Sequence, residues 1–296
     1  MDQWQTFVTV VDAGGFSAAA VNLGKSQSTV SYAIARLEEG VGFAVVSQVG
    51  RRAQATQAGR ALYHQARAVL AQVRRLDTLA ADLAAGSEGE IRLVSDAVFP
   101  SHSVLAALNR FQRGYKVPRI ELFEEILSGG EDLLVRRDVD LAILAHVPPG
   151  FLGDYLASVP FVAVVGRHHP LARIKAPVSS EALLEHRQVV VRDSGAYRRR
   201  DAGWLEPSAR LTVAHFRNSV DALNTGLGFA WLPEPFARAG LADGALVRLA
   251  LVAGAARSAD MYLVFADRDS ASPAMLRFAE MLREEAASFM AAALRS

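Results

Sequence analysis

Leu62, Ala66, Val69, Val73, Leu76, Ala80 and Leu83 follow one another at alternating steps of four and three. That 3.5-residue spacing is an a/d seam, and no Gly or Pro interrupts the run after Gly59. A helix lying on a globular core of its own chain wants a wider apolar stripe. The segment from 58 to 85 therefore predicts one long helix that pairs with the same helix of a second chain. Gly86-Ser87-Glu88-Gly89-Glu90 breaks it and acts as a linker. The seam divides the chain into short amphipathic helices before residue 58 and an alternating pattern after residue 90. In that later part the apolar runs Ile91–Val94, Ile120–Phe123, Leu141–Leu144, Phe161–Val165, Val189–Val191 and Met261–Phe265 are interleaved with helical runs. Strands that alternate with helices predict a parallel or mixed sheet with crossover helices.

At the N-terminal end, Phe7, Val10 and Val11 form one stripe of a first helix, which Gly14-Gly15 ends. Ser17 stands where it would cap a second helix over Ala18–Leu23. Gly24 closes that helix, and after a short turn Val30, Ile34 and Leu37 make the buried stripe of a third. Two helices joined by so short a Gly-containing turn form a helix-turn-helix pattern, whose second helix would enter the DNA major groove. Its other faces carry Gln27, Ser28, Ser31, Tyr32 and Arg36, of which the Gln, Ser and Tyr side chains can donate and accept at base edges and phosphates. Val45–Ser47 and Ala53–Ala55 around Gly50-Arg51-Arg52 predict a β-wing, and arginines at such a tip suit a narrow minor groove.

Charge agrees with this reading locally rather than globally. The whole chain has 32 basic and 31 acidic residues, net +1, which says nothing about partners. Between residues 25 and 75, eight basic side chains face only Glu38 and Glu39, so that end suits a polyanion.

The spacing Phe7-x-x-Val10, Gly15-Phe16-Ser17-x-Ala19-Ala20-x-x-Leu23, Ser26-Gln27-x-x-x-Ser31-x-x-Ile34-x-x-Leu37-Glu38, Gly42, Arg51 and Thr56-x-Ala58-Gly59 resembles the LysR-type transcriptional regulators. Four positions depart from that pattern: Ser28 for a usual Pro, Gly40 before Val41, Val45-Val46 for Leu-Phe, and Gln48 for an Arg on the DNA side. The resemblance continues through Asp138–Ile143, Phe161–Ala172 and Gly226–Pro233. It implies a mainly α N-terminal winged helix-turn-helix (1–57) with a long linker helix (58–86). A two-lobed α/β effector domain (87–296) would follow, with lobe one about 91–162 and 265–296 and lobe two about 163–264. It implies antiparallel linker-helix pairing through Leu62, Ala66, Val69, Val73, Leu76 and Leu83. The assembly expected is a homodimer or homotetramer on an inverted-repeat operator in double-stranded DNA, with RNA polymerase as a further partner of an activator. Gln27, Ser28, Ser31 and Tyr32 would read or flank bases, Ser17, Lys25 and Ser26 would touch phosphates, Arg36 would be a further DNA-binding residue, and Arg51 or Arg52 would enter the minor groove.

The effector is expected beyond the carboxyl ends of the strands, where helix N-termini expose N–H groups. The positions are Ser95, Asp96, Phe99, Leu127 and Ser128 in lobe one and Asp193, Ser194, Phe216 and Asn218 in lobe two. A small carboxylate is the expected ligand. Asp96 and Asp193 would repel one, and could instead meet hydroxyls or an amine.

No G-x-S-x-G, G-x-x-x-x-G-K-[ST] or H-E-x-x-H motif is present, so no catalytic residue, metal or cofactor is expected. Zero Cys excludes a thiol-based sensor. The start Met1-Asp2-Gln3-Trp4 lacks the features of a secretory signal, and no apolar stretch is of membrane-spanning length, which predicts a soluble cytoplasmic protein without membrane partners. The competing reading is a solute-binding protein whose N-terminal helices serve protein contacts.

Overall fold

The computed structural model describes residues 2–49, 52–85, 90–115, 119–196, 200–201, 209–252, 254 and 257–293. The chain divides into two compact units, Met1–Ser87 with Arg136–Asp138, and the remainder. Helix makes up 47 % and strand 25 %, so the chain as a whole is mixed α/β and "mainly α" describes only its N-terminal part.

In the first unit, α1 (Asp2–Ala13), α2 (Phe16–Leu23) and α3 (Gln27–Val41) precede β1 (Val46–Val49), β2 (Arg52–Ala55) and α4 (Gln57–Ala85). Phe7, Val10, Ala19, Ala20, Val30, Ile34 and Leu37 meet in one core, joined by Val45, Ala53 and Tyr63. The expected stripes of α1 and α3 are the buried ones. Glycines end the helices: Gly24 (φ 63) closes α2 and Gly42 (φ 81) closes α3 in the left-handed region. Ser26 caps α3 by accepting from the Thr29 N–H at 3.2 Å. Ser17 does not cap α2. That helix starts at Phe16 with Gly15 at its N-cap, which places Ser17 inside the first turn.

The wing is an antiparallel pair with Val46 opposite Ala55 and Val49 opposite Arg52. Glu38 at the end of α3 accepts from the N–H groups of Val45 and Val46 at 2.8 and 3.2 Å, so α3 holds the start of the wing. Thr56 donates to the Ala44 carbonyl and accepts from the Gly59 N–H, both at 2.9 Å, locking the wing to the start of α4. Tyr63 donates to Asp12 of α1 and accepts from Arg67 at 2.9 Å. Burial and the Asp12 carboxylate hold this phenol well above its ordinary range, so it stays a donor.

The second unit contains β3 (Glu90–Asp96), α5 (Ser101–Phe111), β4 (Arg119–Glu125), α6 (Ser128–Val135), β5 (Leu141–Leu144) and β6 (Gly153–Gly166). After them come α7 (Ser180–Leu184), β7 (Gln188–Val191), β8 (Arg210–Val213), α8 (Phe216–Asn224), β9 (Phe229–Pro233), α9 (Glu234–Ala242), β10 (Leu246–Arg248), β11 (Arg257–Phe265) and α10 (Pro273–Ala293). The sheet order is β4-β3-β5-β11-β6-β9-β7-β8, with β10 on β6. Two parallel triplets, β4-β3-β5 and β9-β7-β8, thus flank the antiparallel pair β11-β6. Those two strands cross between the lobes, and their register shifts between Met261 and Tyr262. Both run longer than their apolar cores predicted, while β8 and β10 are short, half-exposed strands that carry no clear apolar signal. The closing helix α10 returns to the first lobe. Phe278 packs on Phe111 with ring centroids 5.2 Å apart, and Glu284 and Glu285 pair with Arg110.

Candidate nucleic-acid face and ligand cleft

Helix α3 buries Val30, Ile34 and Leu37 and turns Gln27, Ser28, Ser31, Tyr32 and Arg36 outward, with Tyr32 68 % exposed. Ser17 donates to Gln27 Oε1 at 3.0 Å, joining α2 to the first residue of α3. Ser26, besides capping, lies 2.8 Å from the Ser28 hydroxyl, a bond that a Pro at position 28 could not make. Lys25 meets both oxygens of Asp2 at 2.8 and 2.9 Å, and Arg36 pairs with Glu39. These expected DNA contacts therefore carry acid partners. Exposed pairs contribute only about 0–1 kcal/mol, so either cation can exchange its partner for a phosphate. Arg52 is exposed on β2, whereas Arg51 lies outside the described residues, as does the side chain of Gln48.

Along α4 the predicted seam is not uniform. Leu62 packs against the first unit's own core and Ala66 is buried. Val69 (49 % exposed), Leu76 (65 %) and Ala80 face outward with Val73 half-buried, and the side chain of Leu83 is outside the described set. The outward-facing part of the stripe thus begins at Val69, because the first turns of α4 already serve the first unit's core.

In the second unit a cavity of about 470 Å³ opens between the lobes. It is bounded by the ends of β3, β4, β5 and β7 and by the crossing strand β11. Of the nine positions predicted for the effector, Asp96, Leu127 and Phe216 line it. Asp96 is 2 % exposed. Its carboxylate accepts from the Val98 N–H at 2.9 Å and the Leu127 N–H at 3.1 Å. Burial pushes this carboxyl up to about 6 against the pull of those two donors. Leu127 itself sits at φ 55, a left-handed conformation that is unfavourable by roughly 1–2 kcal/mol for a side chain of its kind. The bonds on either side of it hold it there.

The other predicted positions are used differently. Phe99 belongs to the hydrophobic core, Ser95 is buried with its hydroxyl on the Asp96 carbonyl, and Asn218 is exposed outside the cavity lining. Across the lobes Ser128 bonds to Asp193, and Ser194 bonds to the Ile126 backbone. Asp193 accepts from the Ser128 N–H (3.1 Å) and hydroxyl (2.8 Å), the Gly195 N–H (2.8 Å) and the Arg200 N–H (2.6 Å). The Ser194 hydroxyl accepts from the Ile126 N–H at 2.8 Å and donates to the Ile126 carbonyl at 3.0 Å. Arg200 completes the clasp with a bidentate pair to buried Glu131 of α6. Gly129 and Gly195 lie where any Cβ would overlap the Ser194 and Ser128 hydroxyls. In this structure the side-chain polar atoms of Ser128, Asp193 and Ser194 are bonded within the protein. Arg200 likewise belongs to the clasp, and Arg198 and Arg199 lie outside the described residues.

Sequence reasoning missed the charged and aromatic lining that β9 and β11 supply: Trp231, Arg257, Asp260 and Tyr262. The Arg257 guanidinium stands 4.0 Å over the Trp231 ring. Arg257 and Phe161 also border a neighbouring cavity of about 450 Å³ with Arg248 and Glu234. His169, adjacent to His168 in a turn, is buried and accepts from the Leu171 N–H at 3.2 Å, with burial lowering its pKa. Among the described residues no cluster of potential metal ligands occurs.

Two family models match. Residues 1–60 match the bacterial regulatory helix-turn-helix protein of the lysR family, and residues 84–287 match the LysR substrate binding domain. The chain is 30 % identical to the Escherichia coli K12 protein YeeY, described as an uncharacterized HTH-type transcriptional regulator, over 81 % of this chain and 79 % of that one. It is 28 % identical to the HTH-type transcriptional activator AllS of Klebsiella pneumoniae, over 82 % and 92 %. Among solved structures it resembles ArgP from Mycobacterium tuberculosis (TM-score 0.65, 22 % identity, 97 % of both chains). It also resembles CbnR, a LysR family transcriptional regulator (TM-score 0.64, 19 % identity, 96 % and 98 %).

Proposed function

The chain belongs to the LysR family of transcriptional regulators, and from that premise we propose which of its residues read DNA, join subunits and hold the effector. A regulator of this family binds DNA through its helix-turn-helix and responds to a small molecule in its effector domain. The solute-binding alternative is set aside, because residues 1–60 match a DNA-binding module. No helix among the described residues is long and apolar enough to cross a membrane.

The reading is carried by one observation: α3 exposes a polar face while its opposite stripe is buried. Gln27, Ser28, Ser31 and Tyr32 address base edges, Ser17, Lys25, Ser26 and Arg36 address the backbone, and Arg52 with Arg51 addresses the minor groove. The subunits pair through Val69, Val73, Leu76 and Leu83, as a homodimer or a tetramer of two dimers, and so present two recognition helices to an inverted repeat. An activator of this design also contacts RNA polymerase. The effector, carrying a carboxylate, occupies the interlobe cavity and works by binding two arrangements of the protein unequally.

Selection of sheared genomic DNA at two salt concentrations tests the DNA assignment. Sharp enrichment of a few inverted repeats that survives higher salt is expected, with affinity falling steeply as salt rises. Gln27→Ala should relax preference at one base position by about 1–3 kcal/mol, whereas Arg52→Ala should weaken all sequences evenly. If both variants alter every sequence equally, α3 is not the reading helix. A Val69→Glu/Leu76→Glu double variant should sediment as a monomer and lose its preference for paired half-sites. Wild-type sedimentation by that variant would remove the seam.

A further inference from the structure

Resting on the reading that the interlobe cavity holds the effector, we propose that its ligand is a small zwitterion. One carboxylate is held by Arg257 and one protonated amine or guanidinium by Asp96, at the two ends of a short apolar body.

Arg257 is the first residue of β11 and is partly buried. Its side chain makes no ion pair and no hydrogen bond among the described residues, and its one close partner is the face of Trp231. A guanidinium cannot shed its proton, so partial burial keeps a fixed charge whose N–H fork has no protein acceptor among the described residues. Stacking on the indole leaves the edge of the fork, the part that grips a carboxylate through two parallel bonds, to the cavity. Burial alone lowers this group's pKa, with no acid opposing it.

Asp96 presents the complementary deficit. Its carboxylate has two backbone N–H donors and no cation among the described residues, and the nearby Asp193 and Glu124 charges add to its isolation. Asp260 lines the same cavity with the same sign. A plain carboxylate would satisfy Arg257 and leave two acids facing it. A plain amine would satisfy Asp96 and strand Arg257. One molecule carrying both charges compensates both, and the two groups do not neutralise each other, since no ion pair joins them. The apolar part of the lining is Val98, Ile126, Leu127, Phe161, Val189 and Phe216, which suits a short apolar body, while His146, Gln188, Ser258 and Tyr262 add uncharged or weakly basic polar groups.

The test is calorimetric titration of the full chain with leucine, phenylalanine, arginine and 5-aminopentanoate. Each is set beside its des-amino acid and its decarboxylated amine. At least one zwitterion should bind at least tenfold more tightly than both of its singly charged relatives. Arg257→Met and Asp96→Asn should each remove that advantage, while Arg248→Ala, on the neighbouring cavity only, should not. Should Asp96→Asn fail to fold, Arg257→Glu carries the same test by moving the preference from the zwitterion to the matching amine. Binding of an acid as tightly as its amino acid, indifferent to Asp96→Asn, overturns the proposal, as does the absence of any zwitterion binding. A singly charged ligand whose binding is lost in Trp231→Ala would overturn the zwitterion and keep the cavity. Binding that survives substitution at Arg257, Asp96 and Trp231 together would remove the cavity as well.

Discussion

An Asp193→Ala variant is expected to lose about 3 kcal/mol from the stability of its α/β unit. Asp193 is 7 % exposed and accepts four hydrogen bonds, two of them from Ser128 of the other lobe. Removing it strands the Ser128 hydroxyl and three backbone N–H groups in a place with little access to water. A buried donor without an acceptor is unfavourable by about 1–3 kcal/mol, and neighbouring losses partly overlap. For a unit of this size the melting temperature should fall by roughly 6–12 °C, as followed by circular dichroism. Asp193→Asn keeps an acceptor oxygen and should lose about half as much. A melt within about 2 °C of wild type for the alanine variant would mean that water replaces the clasp, which then contributes nothing.

Gly59→Ala should destabilise the first unit by about 3 kcal/mol or more. A Cβ at Gly59 would overlap the Val45 carbonyl oxygen, a backbone atom that no rotamer change can move. That carbonyl already accepts from the Thr56 N–H at 3.1 Å, and Thr56 holds Ala44 and Gly59 through its hydroxyl. Relief would require α4 to move away from the wing, breaking these bonds and the seat of Tyr63 in the core. Gly40→Ala provides the opposite case. Gly40 lies within α3 with nothing near its Cβ position, so alanine there should stabilise by about 0.5–1 kcal/mol. Chemical denaturation of both variants checks the pair. Equal small effects would show that the Gly59 contact relaxes freely.

The contrast between the two glycines shows where sequence reasoning works and where it stops. Phe7, Val10, Val30, Ile34 and Leu37 could be placed in a core from spacing alone, because a helix fixes which residues share a face. Gly40 was legible only as a departure from a pattern, and Gly59 only as part of one. What separates them is the approach of the Val45 backbone, which comes from the folded wing. Ser17 shows a finer limit. Starting α2 one residue earlier turns a capping side chain into an inter-helix contact with Gln27.

The cleft was legible in outline and misread in detail. The strand ends that bear Asp96, Leu127 and Phe216 were found because they follow apolar runs. Ser128, Asp193 and Ser194 have the same local character, yet Ser128 and Asp193 partner each other and Ser194 partners Ile126, 65 to 68 residues apart in the chain. Arg257 and Trp231 gave no signal, since a charge beside a strand and an aromatic within one are ordinary. They meet at the cavity because β6 pairs with both β11 and β9.

Sequence by itself therefore determined the helices, the winged module, the alternating α/β pattern and the family. Each depends on periodicities, glycine positions and motif spacings that act over a few residues to a few turns. Only the tertiary structure decided which polar groups are free. A carboxylate or hydroxyl is satisfied by whatever donor the fold brings within about 3 Å, and that neighbour can come from anywhere in the chain. So the outward-facing part of the α4 stripe begins at Val69, Ser128 and Ser194 bond within the protein, and an arginine on a crossing strand was left facing the cavity.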